Sequence, residues 1–117
     1  MEAQVRRVAK PWGHELWWAR TKDYIGKLIV VEKGRRLSLQ YHNRKRETIY
    51  VLRGRLLLEH GRRRRTLGAG KAFEIAPKDV HRFSAPYGRV TLLEASTPHA
   101  DDIVRLADDY GRAGPRG

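Results

Sequence analysis

The sequence contains no cysteine, which excludes both disulfide bonds and thiolate metal sites. It also has no long apolar run. The longest runs, such as Leu28–Val31 and Leu56–Leu58, are far shorter than the ~20 residues that a helix needs to cross a bilayer. The first residues are charged and lack the apolar stretch of a signal peptide. From these absences we expect a cytoplasmic protein that does not enter a membrane.

Positive charge is present in large excess, with a formal net charge of +12 over 117 residues. Its clusters are Arg35–Arg36, Arg44–Arg46 and Arg62–Arg65, and we expect the last of these in a solvated loop. No helix-turn-helix, zinc-finger or aromatic RNA-binding motif accompanies the clusters. We therefore predict no specific nucleic-acid binding. The charge is interpreted as a surface property that attracts small anions such as sugar phosphates.

Short segments rich in β-branched, aromatic or leucine residues alternate with turn signals along the chain. Many short strands at this spacing are typical of an all-β sandwich or barrel. One helical segment is predicted at Asp101–Asp109, where paired acids suit a helix N-terminus. The predicted strands are His14–Trp18, Tyr24–Glu32, Leu37–His42, Thr48–Leu52, Arg55–His60, Ala72–Ile75, Arg82–Ala85 and Arg89–Ala95.

Four residues with metal-binding side chains are predicted to lie together. Side chains two residues apart on a strand point to the same face, so Gln40 and His42 project together. A short turn lets the next strand return antiparallel, which brings Glu47 to the same patch. His81 follows a proline-containing turn and also begins a strand. One amide oxygen, two imidazoles and one carboxylate make a mixed shell that suits one Zn²⁺ or another borderline divalent ion.

The segment from Gly34 to Gly54 resembles the first cupin motif, in which a His-x-His pair and a glutamate stand between two glycines. Gln40 occupies the first histidine position. Pro77 followed by His81 is similar to the second motif. The resemblance implies a double-stranded β-helix, or jelly-roll cupin barrel, with Gln40, His42, Glu47 and His81 as ligands of one divalent metal. We expect a single domain over residues 1–117, with a barrel core at about 11–98, a C-terminal segment at 99–117 and a frayed tail at 113–117.

A more specific resemblance within the cupins is carried by three stretches, Lys10–Gly13, Arg36–His42 and Asp101–Arg112. They are similar to the type II mannose-6-phosphate isomerase cupin domain. That domain forms the C-terminal part of bifunctional mannose-1-phosphate guanylyltransferase/phosphomannose isomerases and also occurs alone. The resemblance explains Gln40, since Gln-x-His is that family's pattern. It implies a metal-dependent enzyme that interconverts mannose 6-phosphate and fructose 6-phosphate.

The chain departs from this family next to the predicted metal ligand Glu47. The bifunctional enzymes commonly carry an arginine two residues before the motif's glutamate and a His-Trp pair after it. Lys45, Thr48 and Ile49 stand at these positions. A lysine can pair with a phosphate as a point charge but lacks the two-pronged grip of an arginine.

Isomerisation of a sugar phosphate needs a titratable base inside the barrel and a grip on the phosphate. Glu94 and Lys27 lie on apolar strands and are the candidate catalytic residues, with Glu32 and His14 left open as alternatives.

Lys45, Arg105 and Arg112 are the candidate phosphate ligands. Arg105 and Arg112 have a second interpretation, in which they pack the C-terminal segment against the barrel and pair with Asp108 or Asp109.

Two other classes of function stay open. The first is a cupin that binds a sugar or sugar nucleotide at its metal without turnover. The second is a metal-dependent oxygenase, against which Gln40 counts because a neutral amide weakens the nitrogen-rich shell of redox iron. We also expect a homodimer, formed through edge strands or exchanged N-termini, with Trp17 and Trp18 in the contact.

Overall fold

The computed structural model describes residues 1–113 and consists of strands joined by turns. Eleven strands form two antiparallel sheets, and none of the described residues is helical. The strands are β1 (Arg6–Lys10), β2 (Gly13–Arg20), β3 (Ile25–Val31), β4 (Leu39–Tyr41), β5 (Glu47–Arg53), β6 (Arg55–His60), β7 (Arg63–Gly68), β8 (Ala72–Ile75), β9 (His81–Ser84), β10 (Val90–Ser96) and β11 (Val104–Ala107).

The chain passes repeatedly between the two sheets. One sheet has the strand order β1-β2-β3-β10-β5-β8, and the other has the order β11-β4-β9-β6-β7. Neighbouring strands are thus often distant in sequence, as in a jelly roll. The all-β, jelly-roll prediction is confirmed.

Apolar side chains of both sheets form one shared core. Strand β5 shows how: its odd-numbered residues from Glu47 to Val51 are buried, whereas Thr48 and Tyr50 are exposed. Successive side chains on a strand point to opposite faces, so alternation of residue type becomes alternation of burial. The core consists of Trp12, Ile29, Val31, Leu37, Ile49, Val51, Leu56, Leu58, Ile75, Phe83, Ala85, Val90 and Leu92.

The inward positions of three neighbouring strands change from apolar to polar towards the same end of the barrel. On β10, the buried Leu92 is followed by the buried Glu94 and Ser96. Glu94 lies opposite Lys27 on β3, and Ser96 lies opposite Glu47 on β5. One end of the barrel interior is therefore hydrocarbon and the other carries ionic groups.

The helix predicted at Asp101–Asp109 is wrong. Val104–Ala107 forms β11, which pairs with β4 at the edge of the five-stranded sheet. Nine residues are too few to form a stable helix without tertiary support, and the edge of β4 offers backbone hydrogen-bonding partners instead.

The solvated loop predicted at Arg62–Arg65 is also wrong in part, because Arg63–Gly68 forms β7. Gly61 and Arg62 make a tight turn after β6, and β7 pairs with β6 in continuous register. The arginine side chains are exposed, as expected, on an edge strand. Charge on an edge strand hinders pairing with other chains.

Strand β1 was not predicted, and both β1 and β11 lie outside the range 11–98 expected for the barrel core.

The two tryptophans predicted to form a dimer contact differ in environment. Trp18 is 49% exposed, whereas Trp17 is half-buried and contacts the barrel interior. The homodimer stays a prediction.

The frayed tail predicted at 113–117 lies outside the described residues except for Ala113. Within the described residues there is no helix long and apolar enough to span a bilayer.

Gly54, between β5 and β6, provides a test of the packing. Its φ is +83°, and a Cβ there would clash with the carbonyl oxygen of Arg89. Gly61 has a similar φ of +60°, but a Cβ there would meet nothing within 4 Å. We predict that Gly54→Ala lowers the free energy of unfolding by about 2–4 kcal/mol, and Gly61→Ala by about 1 kcal/mol, in chemical denaturation. Equal losses would show that the close approach of β10 to Gly54 is not a constraint.

Candidate metal centre

Three buried side chains bring one atom each to a common point. Glu47 Oε1 lies 3.3 Å from His81 Nε2 and 3.9 Å from His42 Nε2. The three ligand atoms all lie within 4.8 Å of one another, and their residues are at most 3% exposed. None of the three atoms has a hydrogen-bond partner among the described residues. Buried polar atoms without partners are rare in proteins, so a converging group of three indicates a site for a ligand.

The hydrogen bonds of the two imidazoles indicate that this ligand is a metal ion. His42 Nδ1 lies 2.6 Å from the carbonyl oxygen of Asp102, and His81 Nδ1 lies 2.8 Å from that of Asp79. A carbonyl oxygen only accepts, so each Nδ1 donates, and in the neutral imidazole each Nε2 then carries a lone pair. Burial lowers the pKa of His42 below its ordinary value, which favours the neutral ring. Two imidazole lone pairs and a carboxylate oxygen fit a divalent metal ion.

Strand ends place these ligands. His42 directly follows β4, Glu47 begins β5 and His81 begins β9. Gln40 is buried and lies opposite His81 in the pairing of β4 with β9. Its Oε1 accepts a hydrogen bond of 2.6 Å from Ser38 Oγ. A carbonyl oxygen has two lone pairs, so this bond leaves one for a metal. The structure therefore brings together His42, Glu47 and His81 and places Gln40 on the strand position opposite His81; the role of Gln40 as a fourth ligand stays a prediction.

The carboxylates of the two aspartates that hold the histidines also fix the neighbouring turns. Asp102 accepts the backbone N–H groups of Asn43, Arg44 and Lys45, at 3.0, 2.6 and 2.9 Å. Burial would raise the pKa of Asp102, but these three donors outweigh it and lower the pKa to about 2. Asp79 accepts the N–H of Ala76 at 3.1 Å. Each aspartate thus orients one imidazole through its carbonyl and anchors a turn through its carboxylate.

An ionic network lies behind Glu47. The ammonium group of Lys45 is 3.0 Å from Glu47 Oε2 and 3.2 Å from Glu94 Oε2. Burial alone would lower the pKa of Lys45, but Glu94 and Glu47 raise it, so Lys45 is a permanent cation. Burial would raise the pKa of Glu47, but the positive charge of Lys45 outweighs burial and lowers it. Burial raises the pKa of Glu94, and the nearby Glu47 raises it further. Ser96 Oγ donates a hydrogen bond of 2.9 Å to Glu94 Oε2.

Lys27, the other predicted catalytic residue, lies directly opposite Glu94 in the sheet. Its Nζ is 3.6 Å from Glu15 Oε1 and 4.1 Å from the ring centre of Trp17. Trp17 Nε1 donates a hydrogen bond of 2.9 Å to the same oxygen of Glu15. Lys27 is therefore held in place by a carboxylate and an aromatic face.

The metal-ligand candidates His42 and Glu47 line a cavity of about 180 Å³. Lys27, Lys45 and Glu94 lie on its wall together with Arg105 and Arg112, two of the predicted phosphate ligands. Neither of the open alternatives for the base, Glu32 and His14, is among the described residues that line it. Glu32 instead pairs with Arg89 at 2.6 Å.

Two of the predicted phosphate ligands already have carboxylate partners. Lys45 is held between Glu47 and Glu94, as described above. Arg112 donates two hydrogen bonds to Asp108, at 2.9 and 3.0 Å, which is the packing interpretation considered from the sequence. Arg105 lies opposite Gln40 in the pairing of β11 with β4.

The positions that depart from the bifunctional enzymes have different environments. Thr48 is exposed, and Ile49 is fully buried in the core. Sequence analysis did not identify Glu15, Ser38, Asp79 and Asp102 as parts of the site. Glu15 and Ser38 carried a signal, because both are polar residues at strand positions that alternate with apolar ones. Asp79 and Asp102 carried none, since their partners are distant in sequence or belong to the backbone.

Comparisons with known proteins agree with the fold. The family described as "Cupin domain" matches residues 27–100. KdgF from Halomonas sp. aligns with 20% identity and a TM-score of 0.72, covering 84% of this chain and 90% of that one. An RmlC-like cupin from Shewanella frigidimarina NCIMB 400 aligns with 18% identity and a TM-score of 0.74, covering 84% and 87%.

A third solved structure is Pac13 of Streptomyces, described as a nucleoside dehydratase. It aligns with 17% identity and a TM-score of 0.73, covering 89% of this chain and 86% of that one. Identities this low establish a shared fold and nothing more. A search of curated protein sequences returns no significant match.

Replacing the histidines tests the cluster as a metal site. We predict that His42→Ala, His81→Ala and the double variant lose the single bound metal that the wild-type chain retains after loading and desalting. Each change removes one of three converging ligand atoms. The measurement is metal content per chain by mass spectrometry. His14→Ala, which alters a histidine outside the cavity lining, is the matched control. Full metal content in the double variant would place the metal elsewhere.

Asp102 gives a second test, because its carboxylate holds the turn that carries Lys45 and leads to Glu47. We predict that Asp102→Ala weakens metal affinity by roughly 10- to 100-fold and lowers stability by about 1–2 kcal/mol. Asp102→Asn, which keeps one acceptor oxygen, recovers part of both losses. Competition with a chelator of known affinity gives the first quantity and denaturation the second. The exposed Asp23→Ala is the control. Unchanged metal affinity in Asp102→Ala would mean that the turn does not position the ligands.

Proposed function

The chain belongs to the cupin domain family, and we propose that it is a metal-dependent isomerase that interconverts a phosphorylated aldose and ketose. Mannose 6-phosphate and fructose 6-phosphate are the leading pair, as the similarity to type II isomerase domains implies. One observation carries the proposal. The lone pairs of His42, Glu47 and His81 converge beside a cavity that also contains the buried carboxylate of Glu94.

In this proposal Gln40, His42, Glu47 and His81 hold one divalent ion, zinc being the best match to the ligand set. Nitrogen and oxygen donors in this mixture suit a borderline ion, and the single amide disfavours redox iron. When bound, such an ion supplies Lewis-acid stabilisation of negative charge on sugar oxygens. Lys45 compensates the second oxygen of Glu47, so that Glu47 Oε1 is available for the ion.

Glu94 is the proposed base. Its carboxylate lies on the cavity wall, and burial raises its pKa, which makes it a stronger base than a solvated carboxylate. Isomerisation requires removal of a proton from the carbon next to the carbonyl group. The electrons of the broken C–H bond then form a carbon–carbon double bond with the carbonyl carbon. Glu94 takes that proton and returns it to the former carbonyl carbon, while the hydroxyl proton passes from the neighbouring oxygen to the former carbonyl oxygen, so that the carbonyl group moves by one carbon. Ser96 and Lys45 hold the carboxylate at one oxygen, Oε2.

Lys27 is the proposed donor to the sugar oxygen. It is opposite Glu94 and is oriented by Glu15 and Trp17. Its ammonium group can donate a hydrogen bond to the oxygen on which charge develops as Glu94 removes the proton. Base and donor therefore belong to adjacent strands, which fixes their separation.

The second candidate function is binding of a sugar or sugar nucleotide without turnover. The pairing of Glu94 with Lys45 and Ser96 favours it, because a carboxylate with two partners can serve structure alone. Pac13, which shares the fold, is described as acting on a nucleoside, a sugar-containing molecule.

Turnover by a Glu94 variant separates the two functions. We predict that Glu94→Gln keeps its metal but lowers the kcat of mannose 6-phosphate isomerisation by roughly 10²- to 10⁴-fold, since the amide cannot accept the proton. The measurement is a coupled assay of fructose 6-phosphate on zinc-loaded protein. Glu32→Gln, outside the cavity, is the matched control. If loaded wild type makes no more product than His42→Ala yet binds sugar phosphate, the binding function replaces this one. Bound iron with oxygen consumption would instead indicate an oxygenase.

A further inference from the structure

The cavity contains more positive than negative side chains. Its described lining includes the cations Lys10, Lys27, Lys45, Arg105 and Arg112, and the acids Glu15, Glu47, Glu94 and Asp101. Four of these cations interact with other groups of the protein, Arg105 among them, and three of the four pair with carboxylates. Lys27 pairs with Glu15, Lys45 with Glu47 and Glu94, and Arg112 with Asp108.

Lys10 differs from these three. It is the last residue of β1 and is half-buried on the cavity wall. Among the described residues it has no hydrogen bond to its side chain and no ion pair within 4.0 Å. A lysine that loses part of its hydration without gaining a protein partner is suited to bind an anion that enters from solution.

The surroundings of Lys10 are also cationic. Burial lowers the pKa of Lys10; the carboxylate of Glu15 opposes this shift, and the charges of Lys27, Arg105 and Arg112 add to it. The two strands involved are the edges of different sheets: β1 ends the six-stranded sheet, and β11, which carries Arg105, ends the five-stranded one. Mutual repulsion of these cations across the cavity is relieved when an anion lies between them.

Arg105 connects this cationic region to the metal centre. It lies opposite Gln40 in the sheet, so the two regions are adjacent. A ligand of sugar size can reach both, with oxygens at the metal ligands and an anionic group at the cations.

We propose that Lys10 and Arg105 form an anion subsite that binds the phosphate or carboxylate group of the sugar substrate. The inference rests on the proposed function for the identity of the ligand, but the subsite itself depends only on the charges and their positions. The ammonium group of Lys10 donates to such a group, and Arg105, which also interacts within the protein, adds positive charge beside it. Lys45, between its two carboxylates, is not part of the subsite.

The test is binding, measured by titration calorimetry on zinc-loaded protein, with fructose 6-phosphate, galacturonate, fructose and inorganic phosphate as probes. We expect wild type to bind at least one anionic sugar more tightly than fructose. Lys10→Met weakens that binding by at least roughly tenfold, leaves metal content and fructose binding unchanged, and reduces the dependence of affinity on salt. Lys10→Arg recovers most of the affinity. Lys22→Met, an exposed lysine in the turn before β3, is the matched control.

The outcomes separate this inference from the proposed function. Tighter binding of fructose 6-phosphate or of galacturonate supports the subsite and identifies phosphate or carboxylate as its group. Weakened binding in Lys10→Met without any turnover by wild type supports the subsite and overturns the isomerase. Isomerase activity with the same KM in Lys10→Met and wild type overturns the subsite and leaves the isomerase standing. Wild type that binds none of the anionic probes, or equal affinities in Lys10→Met and wild type, also overturns the subsite.

Discussion

Glu47 divides its two carboxylate oxygens between two partners, and the interior of the barrel is organised around that division. Oε1 faces the lone pairs of His42 and His81, while Oε2 contacts the ammonium group of Lys45. A buried carboxylate is costly unless both oxygens are compensated. Lys45 compensates one oxygen permanently, which leaves the other for a metal. Because Lys45 also contacts Glu94, the charge of the metal cluster is coupled to the rest of the cavity.

Hydrogen bonds between two aspartates, the imidazoles and the backbone of the neighbouring turns hold this arrangement. Asp102 and Asp79 hold the two imidazoles through carbonyl oxygens and hold two turns through carboxylates. Residues far apart in the chain are thus joined at the ends of β4 and β9. Loops positioned in this way by a stiff scaffold are where binding groups commonly lie. A metal bound to such a site adds its binding free energy to the stability of the folded chain.

Features with a local cause were predictable from the sequence. The alternation of buried and exposed residues in Glu47–Arg53 follows from the strand period of two, so β5 and the strands like it could be identified. The same period placed Gln40 and His42 on one face. The spacing of Glu47 and His81 around turns then predicted the metal cluster. Glu94 and Lys27 were candidates because each is a polar residue among apolar ones on a strand, although their pairing across two strands was not visible.

Features that depend on distant partners were decided by the tertiary structure alone. Val104–Ala107 forms a strand on the edge of β4, although the paired acids before it favoured a helix. Backbone hydrogen bonds to a neighbouring strand outweigh a weak helix propensity. The pairing of Lys45 with Glu94 could not be predicted from its neighbours in the sequence, since Glu94 lies on another strand. Lys10 and Arg105 meet because the first and last strands are the edges of two different sheets. The sequence alone determined strand period, turn positions and the metal-binding residue types, which are properties of neighbours in the chain. The tertiary structure decided which charges are paired and which face the cavity, because an ion pair depends on distance in space.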